Sequence, residues 1–249
     1  MAMTDRPTPI PAATLIVMRE RPGSAPDLLM VQRSRAMAFA AGAWVFPGGR
    51  IDPGDHALAD PAVEDGAARV AAIRETLEEA GIAIGIDVAR DRVATLRAAL
   101  TAGEPFAAAL AREGATLHPE RLVPFARWLP AHRTSRIFDT RFYLARLPDG
   151  AAAASVDGTE NDRSLWTSAR DLLARADAGA AALIFPTRRN LERMAQFATY
   201  DAAVADARAH PIATISPWEE ERGGEQWLCI PEGLGYPVTA QRMADAVRG

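Results

Sequence analysis

The chain of 249 residues contains no lysine, so all 28 of its basic side chains are arginine. Cys229 is its one cysteine, and aromatic residues make up only 6% of it. A lone cysteine excludes an internal disulfide, and with it the disulfide-stapled scaffolds of small secreted domains. No apolar run is long enough to span a bilayer and no leader-type segment is read, so a reducing cytoplasm is the expected location. Positive charge is in deficit as well. A net charge of −4 provides no nucleic-acid-coating surface, and neither nucleic acid nor a membrane is an expected partner. Internal repeats and low-complexity linkers are also missing. What remains, 49% hydrophobic residues over this length, can bury a full core as one large domain or one domain with an embellishment.

The chain is organised around the stretch from Gly48 to Ile82. Val70, Ile73, Leu77 and Ala80 recur at helical spacing and mark a face for the core. Glu75, Glu78 and Glu79, at i, i+3 and i+4, crowd a second face. Carboxylates this close repel one another, and a divalent cation offsets the repulsion. Fully charged oxygen ligands suit Mg²⁺ or Mn²⁺, whose coordination is usually completed by water and substrate phosphates. Arg74 reaches Glu78 at i+4 and can orient one carboxylate, and Gly81 supplies the left-handed residue that ends the helix. A solvated acidic face is the plain alternative for such a helix standing alone. Upstream, however, Phe46-Pro47-Gly48-Gly49 follows a short apolar run, and paired glycines at a strand end let the backbone approach a metal or phosphate.

The segment resembles the Nudix box, G-x5-E-x7-R-E-U-x-E-E-x-G-U with U aliphatic. Arg74 to Ile82 (RETLEEAGI) match its helical half, with Thr76 the one weak position. In that box a loop and a helix bind divalent metal for diphosphate hydrolysis. The resemblance therefore implies an α/β fold, a Nudix-type α/β/α sandwich with a mixed β-sheet and an additional helical insert. It also implies metal ligation by Gly48, Glu75, Glu78 and Glu79 with Mg²⁺ or Mn²⁺ as cofactor, catalysis by Arg74 and the three glutamates, and a small-molecule nucleotide-type substrate. Which glutamate takes the proton is left open.

Two departures stand out. From Gly49 the x5 spacing leads to Asp55 where the box has glutamate, and eighteen residues rather than seven then precede Arg74. The inserted stretch, His56 to about Glu64, is read as a loop or an extra helical turn capped by Asp60-Pro61. A long insertion here, with FPGG before it, is similar to the branch that contains the peroxisomal coenzyme A diphosphatase. That branch has a signature LLTxRS-x3-R-x3-G-x3-FPGG. Here it is met by Leu29 to Ser34, Gly42 and Phe46 to Gly49, with Ala38 in the place of the second arginine and Arg35 nearby. Coenzyme A or an acyl derivative is the leading substrate on this resemblance. NADH, ADP-ribose or a nucleotide sugar is the alternative, and a Nudix-fold module that senses a nucleotide without cleaving it is a third.

The rest of the chain surrounds this stretch. Ala13–Arg19 and Leu28–Gln32 read as a hairpin across turn-forming residues 21–27. Ile82–Val88 is a further candidate strand. Gly103-Glu104-Pro105 divides the alanine-rich 91–114 into two helices, a helical insert at 89–115 that leaves room for a homodimer contact or a cover over the site. Leu122–Leu129 and Phe138–Leu147 read as strands, the second with Phe142 and Leu144 on one face. The loop between them carries His132, Arg133 and Arg136. These arginines, with Arg33 and Arg35, are candidate contacts to substrate phosphate, while His132 as a base is the weaker reading of a lone loop histidine. Glu160, preceding Trp166, is a candidate additional metal ligand or general base by resemblance. Ser168 caps a helix over 169–178, and another helix is expected from Arg188 to Ala198, where Arg188 and Arg189 could meet an anion. The whole of 1–249 is expected to be a single Nudix hydrolase domain, with 211–249 as a C-terminal extension.

Overall fold

A computed structural model describes residues 8–36, 40–130, 137–151, 154–156 and 161–246. Strands β1 (Ile10–Arg21) and β2 (Ser24–Arg33) form the expected hairpin, longer at both ends than the apolar runs alone, and turn at Pro22-Gly23. Then follow β3 (Trp44–Val45), β4 (Gly48–Arg50), α1 (Pro53–Leu58) and α2 (Gly66–Ala80). The segment β5 (Ile86–Asp87), α3 (Val93–Thr101), α4 (Phe106–Glu113), β6 (Thr116–Leu117) contains the two helices expected within 91–114. Next come β7 (Val123–Trp128), β8 (Phe138–Arg146), β9 (Asn161–Ser168) and the helices α5 (Ala169–Asp177), α6 (Phe185–Met194) and α7 (Tyr200–Ala209). The chain closes with β10 (Thr214–Ile215), β11 (Trp218–Arg222), β12 (Glu225–Cys229), β13 (Ala240–Arg242) and α8 (Met243–Ala246).

The main sheet runs β10-β7-β8-β1-β2-β3, with β4 also on β1 and β9 also on β2. It is mixed: β1 lies parallel to β8 and β10 to β7, while the other pairs are antiparallel. One edge of β1 is shared. Its outer half pairs with β2 through Met18 and Leu28, and its inner half with β4 through Ala13 and Gly49. The sheet therefore forks where Gly48 and Gly49 enter.

Period-two alternation builds the two flanking layers. Leu15, Val17 and Leu29 face Val70, Ile73 and Leu77 of α2, together with Leu96 of α3 and Phe106 of α4. Ile16, Met18, Leu28, Met30 and Phe142 face the opposite side, where α5, α6 and α7 supply Leu172, Leu191 and Val204. The outcome is the α/β/α sandwich expected. Val70, Ile73 and Leu77 are fully buried, each contributing about 1.5–3 kcal/mol of apolar burial.

Several boundaries differ from the pattern-based expectation. The stretch 82–88 contains only the two-residue β5, pairing with β6. The helix expected from Arg188 begins at Phe185 and ends at Met194, because Pro186 fits the first turn of a helix. The inserted stretch does hold an extra helical turn, but Asp52-Pro53 starts it rather than Asp60-Pro61. Asp60 instead turns the loop by accepting from the Ala62 amide at 2.8 Å. Helix α2 is buried on almost every side, Arg74, Thr76 and Glu79 included, so its acidic surface is not a solvated one. Thr76, the weak position of the box, satisfies its buried hydroxyl by donating to the Ala72 carbonyl at 2.7 Å.

Candidate active site

At the fork, strand β4 runs so close to the β1 backbone that only glycine fits at position 48, and Gly49 leaves room for the Glu75 carboxylate. A Cβ on Gly48 would collide with the Ala13 carbonyl, and one on Gly49 with the Glu75 carboxylate. The Gly48 amide donates to Glu79 Oε2 at 2.9 Å, and Asn161 Nδ2 donates to Glu79 Oε1 at 2.9 Å. Glu79 is only 4% exposed, so both oxygens are fixed by N–H groups from two different strands.

Arg74 organises the remaining carboxylates. Its Nε and Nη2 donate to the two oxygens of Asp55 at 2.9 Å each, and Nη2 also donates to the Arg50 carbonyl at 3.0 Å. Its Nη1 donates to Glu75 Oε1 and Glu78 Oε2, both at 3.0 Å. Asp55, 1% exposed, additionally accepts from the Asp52 amide at 2.8 Å, which closes the first turn of α1. The aspartate in place of the box glutamate thus anchors α1 and Arg74 together. Burial opposes the charge on Arg74, but the bond to Asp55 and the charges of Glu75, Asp55 and Glu78 raise its pKa beyond the ordinary arginine range.

The glutamates lack a matching amount of positive charge. Burial pushes the Glu75 carboxyl up to about 8; Arg74 opposes this, and repulsion from Glu79 and Glu78 adds to it. Burial likewise raises Glu78. As the side chains stand, Glu75 and Glu78 lean on Arg74, and no three histidine, cysteine, aspartate or glutamate side chains converge on one point among the described residues. The donors nevertheless fit a divalent cation in kind. They are all oxygens, they carry more negative charge than Arg74 offsets, and the second oxygens of Glu75 and Glu78 have no hydrogen-bond donor among the described residues.

Among the candidate phosphate contacts, Arg33 is half-buried at the end of β2, in register with Asn161 of β9. Arg33 exchanges backbone hydrogen bonds with Gly42 and Ala43, and Gln32 Nε2 donates to the Gly42 carbonyl at 3.0 Å. These bonds close the loop that carries Arg35, which is exposed and lies against Gly42. His132, Arg133, Arg136 and Glu160 lie outside the described residues. Arg188 and Arg189 do not offer an anion site. Arg188 pairs with Asp177 and Glu192, and the buried Arg189 binds Glu192 at 2.7 Å and Gln241 at 3.0 Å.

Asn161 is the site residue that the sequence pattern missed. A β-bulge opposite Gln32 and Arg33 skips Asp162, which shifts the parity of β9 by one at its start. Trp166 faces the α2 layer by simple alternation, whereas Asn161 reaches Glu79 only because of the bulge.

A forked mixed sheet between helical layers, carrying a glycine elbow against an arginine-centred set of glutamates, defines the class. The NUDIX domain family matches residues 8–185, and the chain belongs to that family. It is similar to "Putative nudix hydrolase 7" of Caenorhabditis elegans, 26% identical over 84% of this chain and 69% of that protein. Among solved structures it is similar to a NUDIX hydrolase from Alicyclobacillus acidocaldarius, with 29% identity, a TM-score of 0.69, and coverage of 82% of this chain and 97% of that one. The chain is an enzyme of the Nudix pyrophosphatase type, a family that uses divalent cations and acts on small-molecule nucleotide substrates. Among the described residues no helix is long and apolar enough to cross a membrane.

Proposed function

We propose that this enzyme hydrolyses the diphosphate linkage of a nucleoside diphosphate joined to another moiety, with coenzyme A or acyl-coenzyme A as substrate. Glu75, Glu78, Glu79 and the Gly48 carbonyl would hold Mg²⁺ or Mn²⁺, and Arg74 would keep Glu75 and Glu78 oriented. When bound, the ion lowers the pKa of a coordinated water and screens the charge of the diphosphate. The chain supplies the rest. Glu79 is immobilised by Gly48 and Asn161, and the partly exposed Glu78 is the α2 glutamate most open to water. The observation that carries this reading is the clustering of three α2 glutamates, beside a Gly48 whose backbone admits no side chain, with fewer compensating cations than carboxylates.

The coenzyme A assignment is supported by the loop after β2. Its signature residues Arg33 and Gly42 close on each other, and Arg33 sits in register with the residue that grips Glu79. Substrate phosphates held by Arg33 and Arg35 would therefore lie beside the cluster. We read residues 1–249 as one Nudix domain, with a helical insert at 89–115 and a C-terminal extension at 211–249.

Purified protein with Mg²⁺ or Mn²⁺ and coenzyme A should release 3′,5′-ADP and phosphopantetheine. The same assay with NADH, ADP-ribose and nucleotide sugars should run at least tenfold slower. Faster turnover of one of those compounds would move the assignment to it. The Glu79→Gln variant should lose turnover yet melt close to the wild type, because Asn161 can turn its amide to accept from the new NH₂ group. An unchanged rate would remove Glu79 from the site.

A further inference from the structure

The four carbonyls that end helix α2 have no partner within the helix and must be satisfied from outside it. Each has a donor. The Leu77 carbonyl accepts from the Gly81 amide at 2.9 Å and the Ala80 carbonyl from the Ser155 amide at 3.0 Å. The two between them belong to Glu78 and Glu79, and both are taken by one side chain from the helical insert. Arg97 of α3 donates from Nε to the Glu78 carbonyl at 2.9 Å and from Nη2 to the Glu79 carbonyl at 3.2 Å.

The same guanidinium continues to the segment leading toward β9. Its Nη1 reaches Ser155 Oγ at 2.7 Å and its Nη2 the Ser155 carbonyl at 2.9 Å. Six residues after Ser155, Asn161 grips the Glu79 carboxylate. Glu79 is thus tied at its carbonyl by the insert and at its carboxylate by β4 and β9. Gly81 leaves room for this arrangement: its φ is +69°, and a Cβ there would stand 2.9 Å from Arg97 Nη1. The planar fork makes four bonds at once, to the Glu78, Glu79 and Ser155 carbonyls and to Ser155 Oγ, one more than the three donors of a lysine allow, and its charge suits the negative end of the helix.

We infer that Arg97 is a positioning residue for hydrolysis: it locks the last turn of α2 to α3 and to Ser155, so that Glu78 and Glu79 keep one register and Glu79 stays on Asn161. This gives the helical insert a catalytic purpose, and it rests on the reading of α2 as the carrier of the catalytic carboxylates. The hydrogen bonds of Arg97 to Glu78 and Glu79 go to their backbone carbonyls. It acts through the backbone that bears the two carboxylates.

The test compares Arg97→Ala and Arg97→Lys with Leu100→Ala, which weakens the buried face of the same helix without touching the fork. Hydrogen exchange on the metal-free full chain comes first. Arg97→Ala should speed exchange at least tenfold over residues 78–82 and at the start of β9, whereas Leu100→Ala should speed it within 93–113. Calorimetric titration with MnCl₂ and turnover of coenzyme A follow, at a temperature where all variants are folded. Arg97→Ala should weaken Mn²⁺ binding and lower kcat by tenfold or more with KM within threefold, Arg97→Lys should fall between, and Leu100→Ala should match the wild type. Unchanged exchange over 78–82 in Arg97→Ala would overturn the inference, as would Arg97→Ala and Leu100→Ala behaving alike. A wild type that bound no Mn²⁺ would instead count against the metal site, and the exchange result would still decide the role of Arg97.

Discussion

Arg74 and Glu75 are neighbours in sequence with opposite responses to burial. Arg74 keeps its charge because four carboxylates surround it, those of Asp52, Asp55, Glu75 and Glu78, whereas the Glu75 carboxyl is pushed up to about 8 because burial outweighs the help of its bond from Arg74 Nη1. A carboxyl whose pKa is raised on folding binds its proton more tightly in the native chain than in the unfolded one. Its contribution is therefore greatest at low pH and is lost as pH rises from the unfolded value of 4.5 through about 8. Metal-free protein should lose on the order of 3–5 kcal/mol of unfolding free energy over that window, and Glu75→Gln should largely flatten the slope. Denaturant titrations at several pH values in the presence of a chelator check this. A wild-type stability that is level across the window would show Glu75 to be already ionised. The sequence displayed these residues openly, since acidic spacing and the box pattern marked Glu75, Glu78 and Glu79. It could not show that Glu79 is buried and doubly bound, because that follows from strands β4 and β9 meeting the helix.

At the scale of elements, α1 carries the departure from the usual box. An aspartate at its first turn spans what the longer glutamate would reach, because the helix brings Asp55 up to Arg74 and completes its own start with the same side chain. Asp55→Ala would leave a buried guanidinium short of its bidentate partner, at a cost of roughly 3–5 kcal/mol. Urea unfolding would measure it, and a loss under about 1 kcal/mol would show α1 to be a dispensable ornament. Helices such as α3 and α4, divided by Gly103 and Pro105, and α5, capped by Ser168, were legible because caps and breakers act locally. Strand β5 and the starts of α1 and α6 were not, since pairing and proline placement decided them. The bulge in β9 was hidden for a deeper reason: alternation assumes an unbroken register, and one skipped residue reverses it.

For the whole molecule, the two faces of the forked sheet divide the labour. One carries α2, α3 and α4, and the other binds α5 to α7 and the C-terminal strands. Tyr236 fastens the latter: its hydroxyl donates to Asn190 Oδ1 at 2.7 Å and accepts from Trp128 Nε1 at 3.1 Å, while Arg193 stands 5.3 Å from its ring and binds Asp206 at 2.8 Å. If 1–249 is one domain, Tyr236→Phe should lower a single cooperative transition by about 1–3 kcal/mol and leave activity intact. An early separate transition would mark the extension as an independent unit. Fold class followed from the box and from alternating apolar strands, whereas the closure of residues after 211 rests on the buried arginines Arg189 and Arg193, which composition alone assigns to the surface. Anomalous diffraction from crystals soaked in MnCl₂ decides whether the α2 glutamates hold a divalent ion at the glycine elbow. A manganese peak bounded by Glu75, Glu78, Glu79 and the Gly48 carbonyl is expected, with Glu75 and Glu78 turned partly away from Arg74. Manganese bound elsewhere only, with both glutamates still resting on Arg74, would refute that site.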